Sequence, residues 1–196
     1  MPATRTPSDV DTRTRIVTAA AGLMQRGGYQ TMSLKQIGAE ASVSGGSIYH
    51  FFPGGKEDIA VAAVIHADEE FADFLRSSLA TREDPADAVE ACAEHLARRL
   101  EESDWVDGCP LTATGLESVG RSDAIRSAVA AAFEHWSTVV ADRLVEGGLD
   151  RSRAATLGTT VVNSLEGAEV AAQMTCDAGP LLTSGRHLAE LVRAVS

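Results

Sequence analysis

An all-α protein of about nine helices is what this 196-residue sequence predicts, and three observations carry the prediction. Apolar residues recur at three- and four-residue steps through most of the chain. Ser, Asp and Pro stand where those runs begin and Gly where they end. No segment sustains the two-residue alternation of a strand. The 44% apolar content, rich in Ala, Leu and Val, is enough for one large packed domain or two small ones.

The elements follow in order. From Thr12 to Arg26, Ile16, Ala19, Ala20, Leu23 and Met24 share a face, and the glycine pair after Arg26 stops the helix. Ser33 with Gln36 forms a capping box, and Leu34, Ile37 and Ala41 then make a short second helix ending near Ala41. Residues 42–44 are a turn, and Ser44 caps a third helix with Ile48, Phe51 and Phe52 on its apolar side. Pro53, Gly54 and Gly55 break the pattern before Lys56 opens a longer helix through Ile59, Ala63, Ile65 and Phe71 to Leu79. Asp84 as cap and Pro85 at the first helical position begin a fifth, with Val89, Ala93, Leu96 and Leu100 at helical steps, ending before Trp105. Residues 105–120 are broken by Gly and Pro and hold at most one or two helical turns. Ser122 caps a long helix with Ile125, Val129, Phe133, Trp136, Val140 and Leu144 inward, stopped by Gly147 and Gly148. Asp150 caps the next, through Leu157, Val161, Leu165, Ala168 and Ala172. A last helix runs from about Leu182 through Leu188 and Leu191 to Val195.

The net charge of −11 is unevenly spread. Residues 1–56 hold Arg5, Arg13, Arg15, Arg26, Lys35 and Lys56 against Asp9, Asp11 and Glu40, a net of +3, so the rest of the chain carries −14. A basic head on an acidic body brings one end towards phosphate and keeps the other away. Cys92, Cys109 and Cys176 offer no CxxC pair, and their odd number does not suit a disulfide framework, so they read as reduced thiols. The five histidines show no HxxxH or HExxH spacing, and neither a metal nor another cofactor is expected. The first residues carry no apolar h-region, and no run approaches the length of a membrane span; the expectation is a cytoplasmic protein with no membrane partner.

Two short helices joined by a three-residue turn have the dimensions of a helix-turn-helix, whose second helix enters the major groove. Gly38 is small where the two would cross. Ile37, Ala41, Val43, Ile48 and Phe51 supply the shared core, and Ser44, Ser47, Tyr49 and His50 are left outward. Hydroxyls and helix-terminal amides bind phosphate oxygens, Tyr adds a phosphate or thymine-methyl contact, and His donates to guanine or backbone. Lys56 adds charge to the amides opening the fourth helix. Gly45 and Gly46 each cost roughly 1 kcal/mol relative to Ala inside a helix, and a close approach of sugar-phosphate backbone is a reason to keep Gly46. A small polar corner without a ligand is the plainer alternative. "PGGK" is not a nucleotide P-loop, because His50 stands where its first Gly belongs and Glu57 follows the Lys.

Residues 12–60, with "SLKQIGAEASVSGGSIYHFFPGGKEDI", resemble the N-terminal DNA-binding domain of TetR-family transcriptional repressors. The "FPGGKED" spacing and "GCPLTATGLE" at 108–117 are similar to the LmrA/YxaF-like subgroup. The resemblance implies a flexible arm over 1–11, a DNA-binding domain over 12–56, and an effector-binding and dimerisation domain over 57–196. It implies a homodimer on a palindromic double-stranded operator, released when a small molecule binds. By position, Ser33, Ser44, Gly46, Ser47, Tyr49, His50 and Lys56 match DNA-contacting places, and Gly45 belongs to the same surface. Two residues depart from the family pattern: Ser42 stands where a turn Gly is usual, and Gly45 where Lys, Arg or Pro is common.

For an apolar effector the candidates are Phe71, Phe74, Trp105, Cys109, Phe133, Trp136 and Met174, with Asn163, Glu166 or Gln173 as polar anchors. Against each aromatic stands a plain core role. The last two long helices are assigned by analogy to a dimer bundle, with Gly158, Ala168, Ala171 and Ala172 for close approach and Leu188, Leu191 and Val195 for apolar area. No catalytic residue is assigned. The alternative readings are a helical enzyme or redox sensor using Cys109, and a protein-interaction module without DNA binding.

Overall fold

The computed structural model describes residues 7–195, with side chains from residue 11 onward. Among the described residues there are nine helices and no strand: α1 (Pro7–Thr31), α2 (Leu34–Ala41), α3 (Gly45–Phe51), α4 (Lys56–Leu79), α5 (Pro85–Glu102), α6 (Thr112–Ser118), α7 (Asp123–Glu146), α8 (Arg151–Thr175) and α9 (Gly179–Val195). Residues 1–6 of the expected arm lie outside the described residues, while Pro7 to Asp11 open α1, where Pro suits a first helical position. Gly28, at φ 74°, breaks the regular helix where the sequence placed its stop. α9 begins at Gly179, ahead of the expected Leu182, because Asp177 Oδ1 accepts from the Gly179 amide at 3.0 Å and caps it. No helix among the described residues is long and apolar enough to cross a membrane.

The chain divides into two units, one of residues up to 67 with 110–130, the other of 68–109 with 131–196. This differs from a boundary at residue 56. In the first unit α6 lies against α1, and Glu117 Oε2 accepts from the Gln30 amide at 2.9 Å, while Ser122 Oγ donates to Glu57. Tertiary contact thus draws residues 57–67 and 110–130 to the helix-turn-helix. Its core includes Ile16, Met24, Met32, Ile37, Ile48 and Ile59, each 1% exposed or less, and a buried side chain of this size contributes about 1.5–3 kcal/mol. Phe52 rather than Phe51 is fully buried there, and Arg13 lies 5.1 Å over its ring.

In the second unit α9 packs against α5 and α8, whose Ala-rich faces (Ala88, Ala93, Ala154, Ala172) allow close approach. Asp84 and Asp150 cap α5 and α8 as the sequence requires.

Candidate functional site

The first unit places the polar residues on helix caps and on the open side of α3. Ser33 Oγ accepts from the Gln36 amide at 3.3 Å while the Gln36 side chain accepts from the Ser33 amide at 3.0 Å, so the capping box closes. Ser44 Oγ accepts from the Ser47 amide at 3.1 Å and lies 3.0 Å from Ser47 Oγ. Ser42, at φ 53° and ψ 49°, takes the left-handed turn that a glycine would take more cheaply. A Cβ on Gly38 would sit 3.1 Å from the Val43 carbonyl oxygen, which is why the crossing needs a residue no larger.

Ile48 fills the inner side of α3 at 1% exposure. Ser44, Gly45, Gly46, Tyr49 and His50 are exposed and Ser47 is half-buried. A Cβ on Gly45 would meet no atom within 4 Å, and one on Gly46 only Ser44 Oγ at 3.7 Å. No contact inside the protein requires glycine at either place. The surface of α3 is smooth and polar there, with Tyr49 projecting at 57% exposure and the His50 ring edge-on to Phe51 at 4.9 Å.

Lys56 is held by residues that sequence reasoning missed. Its Nζ stands 4.2 Å from the Tyr29 ring centre and donates to the Gln30 carbonyl at 3.4 Å. Burial lowers the Lys56 amine below the usual lysine range, and the charge of Glu117 pulls the other way. Burial, then Glu57, raises the Tyr29 phenol. The aromatic after the glycine pair in "RGGYQ" was the available signal: a stop followed at once by Tyr marks a residue seated at a helix end.

The model of the bacterial regulatory proteins of the tetR family matches residues 16–63, which contain α2 and α3. The model described as transcriptional regulator LmrA/YxaF-like, C-terminal domain, matches residues 85–187, over half of the chain. The chain belongs to the TetR family of transcriptional regulators, in its LmrA/YxaF-like branch. It is similar to the uncharacterized HTH-type transcriptional regulator YxaF of Bacillus subtilis strain 168, 30% identical over 93% of this chain and 96% of that protein. A TetR regulator of known structure from Chloroflexus aurantiacus J-10-FL is 27% identical, with a TM-score of 0.78 over 96% of this chain and 97% of that one. A cysteine mutant of the TetR-family regulator CifR, solved with a 26-base-pair operator DNA, shares the fold at 19% identity with a TM-score of 0.76 over both whole chains.

In this TetR regulator the ten effector candidates do not form one cluster. Phe71, Phe74, Phe133 and Trp136 do come together, with ring centres 4.4 to 5.6 Å apart. Trp136 is fully buried and its Nε1 donates to the Asp68 carbonyl at 3.2 Å, a core role. Asn163 is exposed, and shares an open α7–α8 groove of about 380 Å³ with Phe133. Met174, 82% exposed, faces solvent, because α8 turns it away from the core. The half-buried Trp105 presents its backbone, its carbonyl accepting from Gln173.

Of the close-approach residues expected at a dimer face, Gly158, Ala168 and Ala172 pack inside the second unit, whereas Ala171 is half-buried. Gly158 abuts the Ser137 carbonyl and Ala141 of α7, so that a Cβ would overlap them, and Ala168, Ala172 and Leu188 are buried at 7%, 0% and 6% exposure. Leu191, at 41%, and the half-buried Val195 remain towards solvent.

Cys109 meets Glu166 and Glu169, with donor atoms of all three within 4.8 Å of one another. Burial and then the Glu166 charge push Glu169 up to about 8, with Arg99 opposing. Sequence reasoning named Glu166 and missed Glu169. The signal was present: two acids three residues apart in an otherwise apolar helix share one face.

Proposed function

We propose that the chain is a ligand-responsive repressor that binds a palindromic operator as a homodimer, with α3 in the major groove. One observation carries the reading: α3 is anchored by Ile48 and the Ser44 cap, while its outer surface has glycines that nothing in the protein requires. A duplex laid against that surface supplies the missing reason for Gly45 and Gly46, since a side chain there would hold the backbone away from DNA. Ser33, Ser44, Ser47, Tyr49, His50 and Lys56 are then its phosphate and base contacts. The operator complex of CifR supports this use of the shared fold. We place a small, largely apolar effector in the α7–α8 groove, with Phe133 as wall and Asn163 as polar anchor.

Fluorescence anisotropy on a palindromic duplex from the upstream region of the gene tests it. Binding should fall steeply with salt, since each phosphate contact releases counterions. Lys56→Ala should weaken cognate and scrambled duplexes alike, whereas His50→Ala should lose about 1–3 kcal/mol on the cognate site alone. Equal losses on both duplexes for both variants, or affinity indifferent to salt, contradict the assignment. A hydrophobic compound that releases DNA from the native protein should fail on Asn163→Ala.

A further inference from the structure

The loop over residues 103–109 is fastened to one face of α8. Glu166, Glu169 and Gln173 recur at three- and four-residue steps and share that face. Gln173 Nε2 donates to the carbonyls of Trp105 and Val106, each at 3.3 Å. The buried Gly108 lies so near the Gln173 side chain that a Cβ would overlap it. The loop is thereby seated with Cys109 beside both glutamates, and Cys109 Sγ and one oxygen of each carboxylate lie within 4.8 Å of one another.

Glu169 is the group that calls for a ligand. It is 5% exposed, and no hydrogen bond or ion pair to it is found among the described residues. The one cation whose field reaches it is Arg99, and that guanidinium stands 4.7 Å over the Phe74 ring. Ionising a buried carboxyl without a partner costs several kcal/mol, and a second carboxylate alongside adds to the cost, so without an ion Glu169 keeps its proton. A cation at the cluster offsets both.

We propose that Cys109, Glu166 and Glu169 bind a divalent transition-metal ion of the zinc class, with a fourth position open to water or a ligand. One thiolate with two carboxylates suits Zn²⁺, whereas Mg²⁺ and Ca²⁺ take oxygen donors and leave the sulfur unused. Zn–S of about 2.3 Å and Zn–O of about 2.0–2.2 Å put tetrahedral ligand atoms roughly 3.5 Å apart, a spacing compatible with three donor atoms that already lie within 4.8 Å of one another. The Cys109 S–H bond and the Glu169 O–H bond break, both protons pass to solvent, and S–metal and O–metal bonds form with no change of oxidation state. The histidine and CxxC spacings that led to an expectation of no metal do not register such a site, whose donors come from a loop and a distant helix. The proposal stands apart from ligand-controlled release and is tested without DNA.

Chelator-washed, reduced full-length protein is dialysed against Zn²⁺ and, separately, titrated with Co²⁺, whose bonding to thiolate produces an intense near-ultraviolet charge-transfer band. One ion per chain and that band are expected from the native protein, with the band abolished when Zn²⁺ is added. Cys109→Ser and Glu169→Gln should bind Zn²⁺ at least about tenfold more weakly. Cys176→Ser, at the exposed cysteine, and His135→Ala, in the separate group of Asp68, Glu69 and His135, should bind as the native chain does. Full binding by Cys109→Ser, loss of the ion in His135→Ala, or a Co²⁺ complex without the thiolate band overturns the proposal. Circular dichroism of the metal-free variants separates lost binding from lost folding. If Cys109→Ser or Glu169→Gln fails to fold, the native Co²⁺ band and its displacement by Zn²⁺ decide.

Discussion

Single residues carry opposite signs in the two units. Ser42 accepts left-handed strain, of about 1–2 kcal/mol for a residue with a Cβ, so that α3 leaves the turn at the required angle. Glu169 accepts burial, which pushes its carboxyl up to about 8 from an ordinary 4.5. The folded chain therefore keeps a proton that the unfolded chain releases at lower pH. The stability this group contributes is fully present below about 4.5 and is lost as pH rises towards 8. In metal-free protein, the unfolding free energy from urea titrations should fall across that interval, by at most about 1.4 kcal/mol per pH unit. Glu169→Gln should flatten that part of the profile; an unchanged slope in the variant would locate the titrating group elsewhere.

At the level of elements, small residues set distances that larger ones could not. Gly38 lets α2 pass under the Val43 carbonyl, and Gly158 lets α8 meet the backbone of α7 at Ser137. The second contact places Gly158 inside the fold rather than at a partner's surface. Gly158→Val should therefore cost about 1–3 kcal/mol in thermal or urea unfolding of the chain itself, by forcing α7 and α8 apart. A variant with native unfolding behaviour but an altered association state would return Gly158 to a dimer face. In α3 the distribution is the reverse: a Cβ on Gly45 would meet no atom within 4 Å and one on Gly46 only Ser44 Oγ at 3.7 Å, so no close packing inside the chain sets these two glycines.

For the whole molecule, the proposed homodimer must rest on what remains exposed once the core is complete. Ala168, Ala172 and Leu188 are used internally; of the residues expected at the interface, the half-buried Ala171 on α8 remains accessible with Leu191 and Val195, which lie four residues apart as an apolar stripe on α9. Leu191→Glu should shift sedimentation from dimer to monomer at micromolar concentration without lowering the unfolding midpoint of the monomer. A variant that remains dimeric removes this stripe from the interface.

The sequence by itself determined the helices and most of their ends, because caps, glycine stops and apolar periodicity act within a few residues. Ser33, Ser44, Asp84 and Asp150 each cap where they were placed. It also determined the outward set on α3, since one buried Ile48 in so short a helix fixes which side faces solvent. What only the tertiary structure decided involves residues far apart in the chain. It seated Lys56 on Tyr29 and Gln30, drew α6 to α1, scattered the effector candidates and brought Cys109 to Glu166 and Glu169. Periodicity tells which face of a helix is buried; it does not tell which other element buries it, and that choice is made by the packing of distant segments.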